Sequence, residues 1–382
     1  MHIEQTHWKK EGGWHPLVPG STGITPDLVL VFGSTSLLRE GEPLRAITEA
    51  YPHAVVTGCS TAGQIMATRV LDDVIVCTAI AFDQTCCRLE CIGVDSPDES
   101  FTRGMTLAGR FNQDQLRHVL IFSDGLHING TNLVKGMQTV FPDAISITGG
   151  LAADGELFQQ TVVVAHGLPQ ERMVVAVGFY GDALRIGFGT FGGWDPFGPE
   201  RLITRSSGNL LYELDGVFAL DLYRQYLGEY AARLPASALL FPLAIRADAH
   251  SPERVRTVLG VDEHEKSMTF AGDMPEGHYA RFMKCNLDRL IDGAAQAAHA
   301  TAASLPGMRS ELALLISCVG RKMVLRQRVE EEVEGVRDIL APGATLAGFY
   351  SYGEISPLQP NARCELLNQT MTITSFSETP TT

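Results

Sequence analysis

Leu28-Val29-Leu30-Val31-Phe32-Gly33-Ser34-Thr35-Ser36 begins the segment that decides the fold. Five consecutive apolar residues with no polar alternation read as a strand buried on both faces. The glycine and the hydroxyl residues turn the chain into a helix that runs to Tyr51-Pro52. A second strand, 54–57, then ends in Gly58-Cys59-Ser60-Thr61-Ala62-Gly63. The unit is strand, glycine turn, helix, strand, glycine loop.

The same order recurs twice. Val119-Leu120-Ile121-Phe122 turns at Ser123-Asp124-Gly125, carries a helix to Phe141-Pro142, and returns through 144–148 into Gly149-Gly150-Leu151-Ala152-Ala153-Asp154-Gly155. Residues 312–316 turn at Ser317-Cys318-Val319-Gly320, carry a long helix to Leu340-Ala341-Pro342, and return through 344–347 into Gly348-Phe349-Tyr350-Ser351-Tyr352-Gly353-Glu354. From Phe32 to Gly58 is 26 residues, from Phe122 to Gly149 is 27, and from Cys318 to Gly348 is 30. Agreement of period and order marks an internal repeat. The helices carry single apolar stripes, Leu133, Val134, Met137, Val140 and Phe141 in one and Leu325, Val329, Val333, Val336 and Leu340 in another. Such stripes fit helices lying on a sheet.

Strand pairs follow the first two units at 73–82 with 88–94, and at 161–165 with 173–180 and 184–190; residues 369–376 close the chain as a strand. The expected fold is therefore α/β, two domains of repeated strand–helix–strand units with mixed β-sheets covered by helices. Phe191-Gly192-Gly193-Trp194-Asp195-Pro196-Phe197-Gly198-Pro199 breaks both periodicities. It places an N-terminal extension at 1–25, a first domain at 26–190, an ordered junction at 191–209 and a ligand-binding second domain at 210–378. In that second domain 210–227 reads as helix, 238–245 as a buried strand and 294–303 as an alanine-rich helix.

Composition narrows the function. The chain has 382 residues, room for two domains of about 150–190 residues each. The 30 Lys and Arg against 44 Asp and Glu give a net charge of -14, which opposes binding to nucleic acid or anionic membranes. No apolar run is long enough to span a bilayer, and residues 1–20 lack the apolar core of a signal peptide. Eight cysteines form no Cys-x-x-Cys pair, so neither a zinc ribbon nor a disulfide framework is expected. The expected setting is a reducing cytoplasm, without membrane insertion; a homo-oligomer is compatible with this reading.

Three constellations carry possible chemistry. The strand-end glycine loops, with Gly58, Gly63, Gly149, Gly150 and Asp154, mark the sheet edge where α/β proteins bind ligands. They lack any nucleotide fingerprint, and the plainer reading is that the glycines serve close turns. Cys318 and Arg321 on one strand end, with Tyr350, Tyr352, Gly353 and Glu354 on the next, form a crevice in which Arg321 and Glu354 suit a zwitterion such as an amino acid. The alternative is that Arg321 and Glu354 pair with each other. Cys318 as a nucleophile needs a histidine base, and none is near it in sequence, so catalysis is not expected. The 11 histidines show no metal-binding spacing. His127, in a strand-end loop, is the chosen haem ligand, with His250 and His278 as alternatives; without Cys-x-x-Cys-His, any haem b is non-covalent. The run Glu330-Glu331-Glu332-Val333-Glu334 reads as a solvated helix face or a partner's docking surface.

These segments resemble the FIST family, which carries FIST N and FIST C domains in tandem. The likeness runs through Gly58-Cys59-Ser60-Thr61-Ala62-Gly63-Gln64-Ile65, Thr148-Gly149-Gly150-Leu151-Ala152-Ala153-Asp154, Leu211-Tyr212-Glu213-Leu214-Asp215-Gly216, Phe241-Pro242-Leu243, Cys318-Val319-Gly320-Arg321 and Gly348-Phe349-Tyr350-Ser351-Tyr352-Gly353-Glu354-Ile355-Ser356-Pro357. The resemblance implies a bacterial signal-transduction sensor of small ligands, amino acids among them. Stand-alone members of the NosP type imply more: haem, nitric oxide sensing and regulation of a partner histidine kinase.

Overall fold

The structure is a computed structural model and describes residues 1–234, 236–340, 342–358 and 362–379. Each of the three sequence repeats builds the spine of its own mixed sheet. In the first, Leu28–Gly33 runs parallel to Val55–Ser60 and antiparallel to Ile75–Ala81. In the second, Leu116–Ser123 stands between Ser146–Leu151 (parallel) and Met173–Tyr180 (antiparallel). In the third, Leu312–Cys318 stands likewise between Thr345–Ser351 and Met371–Glu378. A further strand extends one side of each: His2–Lys9, itself followed by Gly13–His15 at the edge, then Cys86–Gly93 and Leu184–Phe191 at the edges of theirs. Within residues 1–25, His2–Lys9 pairs with Ile75–Ala81 from His2 to Trp8.

The opposite edge of each sheet is filled by a neighbour. After its glycine loop, every repeat sends a short hairpin into another repeat's sheet. Gln64–Met66 of the first repeat pairs with Thr345–Ser351 of the third. Glu354–Pro357 of the third pairs with Ser146–Leu151 of the second. Val163–Ala165 of the second pairs with Val55–Ser60 of the first. The exchange is cyclic and interlocks the three sheets.

Strand alternation explains the unbroken apolar runs, since successive side chains point to opposite faces. Leu30 and Phe32, Leu120 and Phe122, and Leu314 and Ile316 all point into one shared core, where the rings of Phe32, Phe122 and Phe349 meet at 4.7–5.9 Å. Val29 and Val31 face the helices of the first repeat, and Ile121 and Leu315 face those of the others. Gly58, Gly149 and Gly348 sit at one register position, opposite Val31, Ile121 and Leu315. A Cβ at any of them would overlap the facing carbonyl oxygen, and Gly58 and Gly149 also have φ of 149° and 152°.

A fourth, eight-stranded sheet forms a module inserted into the third repeat between Leu184–Phe191 and Leu312–Cys318. It has its own core around Leu220, Tyr223, Phe270 and Phe282. The predicted junction is here a strand, Asp195–Ser207, because a register shift between Phe197 and Arg201 lifts Gly198 and Pro199 out of the ladder. The predicted 210–227 helix is a strand, Leu210–Leu214, followed by the helix Ala219–Leu227. The predicted buried strand at 238–245 is a 3₁₀ turn, Ala236–Leu240, then a strand, Leu243–Arg246. Among the described residues no helix is long and apolar enough to cross a membrane.

Candidate functional site

The three glycine loops lock together where the parallel strands end. Ala62 N–H donates to the Tyr350 carbonyl at 2.9 Å, Ala153 N–H to that of Ser60 at 2.9 Å, and Leu151 N–H to that of Gly353 at 2.8 Å. Above this knot, between the body and the inserted module, lies a cavity of about 1100 Å³. The first repeat contributes Ser34, Thr61, Gln64 and Asp72; the second, the loop 154–160; the third, Val319, Lys322, Met323 and Arg326; the module, Tyr230 and Arg233.

The helix Val319–Leu325 stands between cavity and module. Val319, Lys322 and Met323 follow the i, i+3, i+4 spacing of one helical face, and that face lines the cavity, joined by Arg326 just past the helix end. Lys322 Nζ donates to the Ala62 carbonyl at 2.7 Å and pairs with Asp72. Val324, which also borders the cavity, and Leu325 pack with Trp194, Met283 and Leu290 where the module joins the body. Arg321 lies on this inner side. The loop 154–160 is shaped by Asp154, whose carboxylate accepts the N–H groups of Phe158, Gln159 and Gln160 at 2.9, 2.8 and 2.7 Å and the hydroxyl of Tyr352. Tyr352 stacks on Phe158 at 4.4 Å, and burial raises its hydroxyl pKa well above the usual range.

The structure rearranges the predicted crevice. Arg321 is fully buried, and it pairs with Glu332 at 2.8 Å, not with Glu354. Its remaining donors go to the carbonyls of Leu290, at 2.7 Å, and Gly192. Glu332 also accepts from Tyr350 at 2.6 Å and Ser317 at 3.1 Å, so this member of the acidic run is an internal anion, not part of a solvated face. Four of its five N–H donors go to protein acceptors and its side chain has no exposed surface, so Arg321 is closed to a solute. Glu354 is fully buried elsewhere, accepting from Ser351 and Thr370 at 2.7 and 2.9 Å. Burial pushes its carboxyl up to about 8.

Of the predicted residues, Gly63 and Asp154 line the cavity; Cys318, Arg321, Tyr350, Tyr352, Gly353, Glu354, Gly58, Gly149 and Gly150 stand beneath it in the frame. Burial pushes the Cys318 thiol up to about 12, which leaves it protonated at neutral pH. His127 is outside the lining, its Nδ1 3.2 Å from Asp124. Sequence reasoning missed Lys322 and the module's Tyr230 and Arg233. The helical spacing around Lys322 was the available signal for the first; nothing local signals the other two.

The cavity does not fit haem. A macrocycle needs apolar walls and an axial donor. Among the described lining residues there is no histidine or cysteine, and Asp72, Asp73, Asp154 and Glu156 would face it with carboxylates. Nor do the described residues hold a group of three or more His, Cys, Asp or Glu placed to bind a metal ion.

The fold thus sets one large cavity between the three-sheet body and the inserted module. The chain belongs to the FIST family: the FIST N domain matches residues 27–217 and the FIST C domain residues 219–357. FIST domains are sensor domains of signal transduction, and they act with signalling partners. Comparison with curated proteins returned no match. The join between the two family domains falls inside the inserted module, at the Leu214–Val217 hairpin, and not between the interlocked sheets.

Proposed function

We propose that the chain is a non-enzymatic sensor of a small, polar, amino-acid-like solute, held in the cavity between the three-sheet body and the inserted module. The observation that carries this reading is the mixed charge of the lining. Asp73, Glu156 and Arg326 on the body side, and Arg233 on the module, have no ion-pair partner among the described residues. Unpaired groups of both signs around one cavity suit a zwitterion.

The helix Val319–Leu325 supplies the coupling. A solute that meets Lys322 and Arg326 shifts this helix, and the helix carries Arg321, which grips Gly192 where the chain enters the module. Movement of the module is then the signal that a partner, a histidine kinase in this proposal, distinguishes by different affinity for the two states. Calorimetric titration with the proteinogenic L-amino acids, with module displacement followed by small-angle scattering, tests it. Saturable binding with a change of shape is the expected result. A stoichiometric Soret band that responds to nitric oxide, with no amino acid bound, would overturn it in favour of haem sensing.

A further inference from the structure

The cavity floor holds two side-chain oxygens that no described residue satisfies. Gln64 is 1% exposed; its amide nitrogen donates to Thr61 Oγ1 at 2.7 Å, while Oε1 has no partner. Ser34 precedes the helix Thr35–Glu40 in the extended conformation of a capping residue, yet it makes no capping bond and its enclosed Oγ is likewise unbonded. Native structures rarely leave such atoms unpaired, and where they border a cavity the missing partner is a ligand or the water that holds its place. Lys322 is the third group. Two of its three N–H donors go to the Ala62 carbonyl and to Asp72, which leaves one.

We infer that Ser34, Gln64 and Lys322 form the end of the cavity that reads the ligand, and that they take a group pairing an N–H donor with an oxygen acceptor. On a turn of the Gln64 side chain that brings its enclosed Oε1 to the cavity surface, the amine or amide N–H donates to it, and the oxygen accepts from the third Lys322 N–H. Ser34 Oγ serves either atom. An α-amino acid carries this pair on neighbouring atoms; an alkylamine or a simple carboxylate satisfies half of it. The inference rests on the sensor reading, because it places the ligand in the same cavity, and it adds which atoms select it. The three residues also belong to two repeats, Ser34 and Gln64 to the first and Lys322 to the third. A ligand that bridges them tightens the contact between those repeats.

The test uses the full chain, with L-amino acids, alkylamines and aliphatic carboxylates as probes. Gln64→Leu keeps the volume and removes the acceptor. It is expected to weaken amino-acid binding by about tenfold or more, while the melting midpoint without ligand changes little, because loss of the bond to Thr61 is offset by removal of a buried orphan acceptor. Gln64→Asn is expected to fall between the two. Amino-acid binding that survives Gln64→Leu unchanged overturns this inference alone and leaves the sensor reading standing. A lowered midpoint without ligand overturns it as well, since Gln64 then belongs to the frame. Absence of amino-acid binding to the unaltered protein defeats the sensor reading in its amino-acid form and this inference with it.

Discussion

Arg321 and Glu332 meet at 2.8 Å with neither side chain exposed, and through them a turn of the third repeat is tied to the entrance of the inserted module. Taking such a pair out of water is costly, so its presence points to positioning more than to stability. Removing one partner leaves the other charged and buried. Arg321→Ala is therefore expected to destabilise the protein by about 3–5 kcal/mol in denaturant titration. Arg321→Met combined with Glu332→Leu should recover most of that loss while weakening the ligand-dependent change of shape. A fully stable Arg321→Ala protein would contradict the buried pairing.

Glu354 makes stability fall as pH rises. Its carboxyl is held at about 8, against an ordinary 4.5, by burial. The folded state therefore binds the proton more tightly than the unfolded state does. The associated stability is complete below about 4.5 and is lost as pH climbs through about 8. Each pH unit of that window is worth at most about 1.4 kcal/mol. Glu354→Gln should flatten the dependence between pH 5 and 9, measured as the urea midpoint; an unchanged slope would mean that Glu354 is not its source.

His118 works in the opposite direction. Burial lowers its pKa to about 3, and the neutral ring bonds to Ser146 and Thr148 at 2.8 and 3.0 Å. The stability it contributes is present above the ordinary histidine value and is lost as pH falls toward about 3. His118→Gln is expected to lower stability at pH 7 and to remove part of the acid sensitivity between pH 6 and 4, followed by thermal melts.

The three register-matched glycines should respond to alanine in a graded way. Gly58→Ala and Gly149→Ala combine a carbonyl overlap with an unfavourable φ, whereas Gly348→Ala brings the overlap alone. Each is expected to cost about 2–4 kcal/mol, with Gly348→Ala the mildest. Equal stability of all three variants with the parent would refute the close approach.

Thiol reactivity separates the exposed from the buried cysteines. At pH 7.5 iodoacetamide should modify Cys86, which is exposed, and leave Cys318, at 2% exposure, untouched until the protein unfolds. Fast modification of Cys318 in the native protein would restore it as a candidate nucleophile.

The repeats were legible because burial on both faces writes an uninterrupted apolar run, and because Gly58, Gly149 and Gly348 are demanded by backbone approach. Partner choice was not legible. Nothing in Gln64-Ile65-Met66 states that it joins a strand almost three hundred residues away, since any edge with matching spacing offers the same hydrogen bonds. Asp195–Ser207 was misread because Gly198 and Pro199 occupy a bulge inside a strand. Arg321 was assigned to the wrong carboxylate because Glu332 lies among residues that look uniformly solvated. Of the cavity, the glycine loops were visible; its far wall comes from a module whose approach is decided in three dimensions.

The cyclic exchange of hairpins has a consequence for how the chain is made. During synthesis the first repeat emerges with an unfilled sheet edge and a hairpin that has no docking strand. Its edge waits for Val163–Ala165, and its hairpin waits for Thr345–Ser351, made only after the second repeat and the inserted module. The second repeat waits equally for Glu354–Pro357. The body therefore closes only after Thr345–Ser351 and Glu354–Pro357 have left the ribosome, and until then open edges are exposed to aggregation or to chaperones. Halves cut at the join of the family domains, expressed apart, should be insoluble alone and regain structure only when produced together.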